Sequence, residues 1–104
     1  MPFNGSEGSQ ITLSRAIELT TNYRDANQGK ILSIFLGTNI LKKLLDQPES
    51  QGIRFYFGLD GEATRLVAVS ADHNEDDLFT DGYLIADEGS SGPPHSGMAN
   101  VLNS

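Results

Sequence analysis

Asp72, Asn74 and Asp76 stand at alternate positions of one polar stretch, Asp72-His73-Asn74-Glu75-Asp76-Asp77. A D-x-N-x-D spacing lets a tight loop turn several hard oxygen ligands towards one calcium or magnesium ion. These three residues are the candidate metal ligands. The rest of an EF-hand loop does not follow. Its sixth position calls for Gly and holds Asp77, and its twelfth calls for a bidentate Glu and holds Tyr83. The plainer reading of the same residues is a solvated acidic β-turn.

His73 lies among these carboxylates, the setting of a general base. A base also needs a pocket and an oriented substrate, and a loop of acids supplies neither. His95 sits in a Pro-rich stretch, and the two histidines are too far apart for a zinc signature. The chain has no cysteine, so disulfides, thiolate metal sites and a cysteine nucleophile are excluded. It has no Gly-x-Ser-x-Gly elbow, no Gly-rich phosphate loop and no dinucleotide fingerprint. Adjacent Asp76 and Asp77 point apart in an extended backbone and make a poor glycosidase pair. No catalytic residue and no cofactor is therefore assigned.

The elements that position these residues follow from periodicity. Residues 1–10 are polar and Gly-rich, a flexible N-terminus. Leu13, Ala16, Ile17 and Thr20 recur with helical spacing. Thr12 is placed to cap that helix, which is expected to run to about Tyr23 or Arg24. Ile31–Leu36 reads equally as a buried strand or a short helix. After Gly37, Thr38 or Asn39 can cap a second helix, with Ile40, Leu41, Leu44 and Leu45 on its apolar face and Lys42 and Lys43 in water. Gln47-Pro48 stops it.

Gly52 opens the clearest strand. Ile53, Phe55, Phe57 and Leu59 alternate with Arg54, Tyr56 and Gly58. Asp60-Gly61-Glu62-Ala63 reads as a turn longer than two residues, and Thr64–Ser70 as the partner strand. A third short strand is expected at Gly82–Ala86. Arg54 and Tyr56 share the polar face of the first strand and are the candidate interaction residues, since Arg and Tyr are enriched in binding hot spots. The alternative is an ordinary exposed strand face, with Arg54 paired to Glu62 or to an acid of the later loop.

Charge narrows the partners. From Leu66 to Ser104 there are seven acids and no Lys or Arg, and all seven acids lie between Asp72 and Glu88. Acids and bases balance before Leu66, so the net charge of −7 belongs to that stretch. The bases are scattered, without the stripe that releases counterions from nucleic acid. Anionic membrane surfaces are disfavoured for the same reason. The longest apolar run, Ile31–Leu36, is too short to span a bilayer. The first residues lack the basic and apolar regions of a signal peptide, so a cytoplasmic location is expected.

Leu45-x-Gln47-Pro48, then Gly52-Ile53-Arg54-Phe55-Tyr56, then a hairpin and Pro93-Pro94, resembles a family of small uncharacterised proteins common in Bacteroidota. The likeness covers about residues 11 to 95. Members of that family usually carry cysteines around the Pro-Pro pair, and this chain has none. The resemblance implies fold boundaries and no activity.

The expected fold is α+β. Two N-terminal helices pack on a small, mainly antiparallel sheet of about three strands. One domain spans 11–88, and a disordered Gly/Ser/Pro-rich tail spans 89–104. The expected function is a non-catalytic protein-interaction module, binding a basic protein partner or a second copy of itself. Weak divalent-cation binding through Asp72–Asp77 is one alternative. A small enzyme with no nameable nucleophile is another.

Overall fold

In the computed structural model, which describes residues 2–103, eight elements follow one another. They are α1 (Leu13–Ala26), β1 (Ser33–Phe35), α2 (Thr38–Leu45), β2 (Gly52–Asp60), β3 (Ala63–Ala71), β4 (Asp77–Leu78), β5 (Ile85–Ala86) and β6 (Ser90–Gly92). The class is α+β, and every strand pairing is antiparallel. The strands form two sheets, more strands than the sequence suggested. The chain divides into two units. One holds residues up to Glu7 and Leu36–Gly89, and the other holds Gly8–Phe35 and the residues from Ser90 onward.

The first unit is built on the β2–β3 hairpin. Asp60 pairs with Ala63 across a two-residue turn, Gly61-Glu62, shorter than expected. Gly61 has φ of 62°, the positive value a type II′ turn requires at its first central residue. The register then runs without a bulge to Gly52 opposite Ala71. On the other side of β3, β4 pairs with Ser70 and Ala71, and β5 with Ala68 and Val69. The central strand is therefore buried where it is paired on both sides, from Ala68 to Ala71.

Helix α2 packs on β2 and β3. Leu44 is fully buried against Ala68 and Ala86, with Leu36, Ile40 and Ile53 around it. Burying one Leu contributes about 2 kcal/mol. The polar counterpart is Ser70, also fully buried. Its hydroxyl donates to the Leu44 carbonyl at 2.6 Å and accepts from Gln47 Nε2 at 2.8 Å. Gln47 Oε1 in turn accepts from the Leu84 N–H at 2.6 Å. One amide thus ties the helix end to β3 and to the segment entering β5. Thr38 is the first helical residue and not the cap, as Thr38 or Asn39 was expected to be, and the capping Gly37 makes no side-chain bond. Lys42 and Lys43 are exposed in its last turn, which suits the helix dipole.

The second unit holds α1. Thr12 caps it, its hydroxyl accepting from the Arg15 N–H at 3.1 Å. No residue of α1 is buried, although Ala16, Ile17 and Thr20 are half-buried. The Thr20 hydroxyl is satisfied by the Ala16 carbonyl at 2.9 Å. Residues 31–36 contribute the strand β1, which pairs with β6 and not with the larger sheet.

Helix α2 belongs to the unit of the four-stranded sheet, and α1 to the other unit. One expectation is corrected here. The stretch from 89, expected as a disordered tail, contributes β6, with Ser33 opposite Gly92 and Phe35 opposite Ser90. Close approach explains Gly92, since a Cβ there would lie 2.3 Å from Ser33 Oγ. Among the described residues, no helix is long and apolar enough to cross a membrane.

Candidate interaction surface on the hairpin

The two faces of the hairpin differ in chemistry because side chains alternate along a strand. Arg54 and Tyr56 share one face. Arg54 lies opposite Val69 on β3, and Asp77 lies opposite Ala71 from the other side. The two charges therefore meet over the central strand, with Arg54 Nη1 2.5 Å from Asp77 Oδ1. The same nitrogen donates to the Glu75 carbonyl at 3.2 Å. The Tyr56 hydroxyl donates to the second oxygen of Asp77. Accepting both bonds, Asp77 holds the protons of both donors, so Arg54 and Tyr56 each lie above their ordinary pKa. The Phe3 ring stacks under the guanidinium, 5.4 Å from centroid to Cζ.

A second charge cluster sits nearer the turn. Arg65 grips Asp87 with two bonds, at 3.2 and 2.9 Å, and lies 3.7 Å from Asp60. The hydrogen bonds from Arg65 hold the Asp87 carboxyl below its ordinary range. The candidate interaction residues Arg54 and Tyr56 are thus brought together, on an acid of their own chain. The sequence placed that acid in the later loop or at Glu62, and the structure selects Asp77.

The opposite face is apolar and largely uncovered. Ile53 packs against the Leu44 cluster, but Phe55, Phe57 and Leu59 are exposed, Phe57 at 87% and Leu59 at 76%. Their cross-strand partners are Ala68, Leu66 and Thr64. Lengths explain the gap. An eight-residue helix covers about 12 Å, whereas a nine-residue strand reaches about 30 Å. Helix α2 covers the root of the hairpin and leaves its outer half bare. Asp60, Glu62 and Glu88 are exposed acids of this unit, Asp60 and Glu62 at the hairpin's tip.

The acidic loop is a closed turn. Asp72 Oδ1 accepts from the N–H groups of Asn74 at 2.9 Å and Asp76 at 3.0 Å. The Asp72 N–H donates to the Asp76 carbonyl, and the Glu75 N–H to the Asp72 carbonyl. This folding delivers Asp77 into β4, beside Ala71 and within reach of Arg54. Among the described residues, no three His, Asp or Glu side chains converge to hold a metal ion. His73 serves the N-terminal segment. Its carbonyl accepts from the Phe3 N–H, and its Nδ1 lies 3.0 Å from the Phe3 carbonyl. His95 is exposed, its backbone N–H bonded to the Ser91 carbonyl.

Compared with known proteins, the chain matches no family model, no curated protein and no solved structure.

Proposed function

We propose that the chain is a non-catalytic protein-interaction module whose binding element is the β2–β3 hairpin. The observation that carries this reading is the exposure of Phe57 and Leu59 on one face of a rigidly registered strand. Contiguous exposed apolar surface on a paired sheet marks a binding surface. Burying these two side chains in a complex contributes roughly 3–6 kcal/mol, the scale of an interface hot spot. Arg54, Tyr56 and Asp77 bond to one another.

The partner fitted by this surface is a protein with an apolar patch rimmed by Lys or Arg. Asp60 and Glu62 at the tip and the net charge of −7 would draw such a rim in and speed encounter. The test is affinity capture from the native cell with two baits, the wild type and Phe57→Ser/Leu59→Ser. A partner that the wild type holds and the double variant loses is expected, with an association rate that falls as salt rises. Equal recovery by both baits overturns the reading.

A further inference from the structure

We infer that β2 pairs edge to edge with β2 of a second copy, giving a two-fold dimer centred on Tyr56. The inference rests on the reading of the hairpin as the binding element and concerns its edge, where the proposed function concerns its face.

Strand β2 is an edge strand: among the described residues no strand pairs with its other side. The turn fixes which groups that edge offers. A two-residue turn makes Asp60 and Ala63 a pair that exchanges both backbone bonds, and the register continues unbroken. Alternation then gives the even-numbered residues to β3. The N–H and C=O groups of Ile53, Phe55, Phe57 and Leu59 point outward.

Natural edge strands are usually protected by Lys, Pro, bulges or short length. Gly52–Asp60 has nine residues, no Lys, no Pro and no bulge. Its only cation, Arg54, is held by Asp77.

The strand is also self-complementary. Antiparallel pairing about Tyr56 sets Ile53 against Leu59 and Phe55 against Phe57 of the second copy. Every outward backbone group then meets another, and like side chains fall on the same face. Where this register places the second copy's Leu59, beside Ile53, there is a groove of about 400 Å³ at the Gly52 end of the strand. Phe3, Leu45, Ile53 and Ala71 line it together with Glu7 and Arg54, and Leu45 is 51% exposed. Two exposed leucines of one chain would thus cover each other between copies.

Charge permits the arrangement. The acids from Asp72 to Glu88 lie in and around β4 and β5, across β3 from the open edge. In the dimer the two β4 strands are five strand spacings apart, about 24 Å, against a screening length of ~8 Å at physiological salt. The contact is isologous and closes on itself, so it stops at two copies. It leaves Phe55 and Phe57 of the two copies free and side by side on one face.

The absence of native cysteine makes the test clean. At the two-fold, the Tyr56 Cα atoms of the two copies form a non-hydrogen-bonded pair about 4.5 Å apart, within the range a disulfide spans. Two Gly58 Cα atoms would be about 14 Å apart. The full chain is expected to sediment as a dimer, near twice 11.2 kDa. Tyr56→Cys is expected to give a covalent dimer on mild oxidation, and Gly58→Cys to stay monomeric on a non-reducing gel. Phe57→Pro, which deletes an outward N–H and no bond to β3, is expected to sediment as a monomer with its circular dichroism retained. Cross-linking by Gly58→Cys but not Tyr56→Cys overturns the register. A wild type that stays monomeric at high micromolar concentration overturns the dimer, even where partner capture still depends on Phe57.

Discussion

Arg54 and Asp77, from strands on opposite sides of β3, close a 2.5 Å ion pair over the central strand. The pair fastens the short β4 to the hairpin and gives Tyr56 its acceptor. Both side chains are partly buried, so the pair lies between the exposed and fully buried cases. Asp77→Ala is expected to lower unfolding stability by about 1–2 kcal/mol, read from the midpoint of a urea transition. The same change is expected to bring the Tyr56 phenol down towards its ordinary pKa. In the wild type that pKa is raised, so the contribution is present below about pH 10 and is lost as pH rises through the folded value. Ultraviolet titration of tyrosinate in the two proteins checks the sign.

Ser70 should be the most sensitive polar position. Its hydroxyl is fully buried and serves two partners, the Leu44 carbonyl and Gln47 Nε2. Ser70→Ala removes a partner from both at once. A loss of about 1–3 kcal/mol is expected, measured by denaturant titration. Ser90→Ala, at an exposed position of β6, is expected to change stability by less than about 0.5 kcal/mol.

Acid should release the Arg65–Asp87 clasp. Asp87 is held below its ordinary pKa, chiefly by hydrogen bonds from Arg65. A depressed carboxylate contributes stability above its unfolded pKa of about 4 and loses it as pH falls through the folded value. Carbon-detected NMR should find Asp87 titrating below an unperturbed Asp. In Arg65→Gln that titration should move up, and an unchanged Asp87 would show that the clasp is not its cause.

The sequence makes some of this plain and hides the rest for physical reasons. Period-two alternation exposes the strand from Ile53 to Leu59, and a hydroxyl before a helical pattern exposes the Thr12 cap. Both are local signals. β6 is built from Ser90, Ser91 and Gly92, whose side chains carry no apolar pattern, and its partner Ser33–Phe35 is distant in sequence. Nothing local could announce it. The metal-like spacing of Asp72, Asn74 and Asp76 was legible, yet Asp72 caps its own turn through backbone N–H groups, which the spacing cannot display. Arg54 and Tyr56 were found as a pair on one face. That both would converge on Asp77 depends on β4 lying beside Ala71, a tertiary fact. The bare apolar face was within reach of the sequence, because an eight-residue helix is too short for a nine-residue strand.

The claim that the outer half of the hairpin is a binding surface is tested most directly amide by amide. Isotope-labelled chain would be titrated with the captured partner and followed by heteronuclear NMR. The account predicts that the largest shifts fall on Phe55, Phe57, Leu59 and Leu66, while α1 stays still. Shifts centred on α1 or the acidic loop, with those four amides unmoved at saturation, would contradict it.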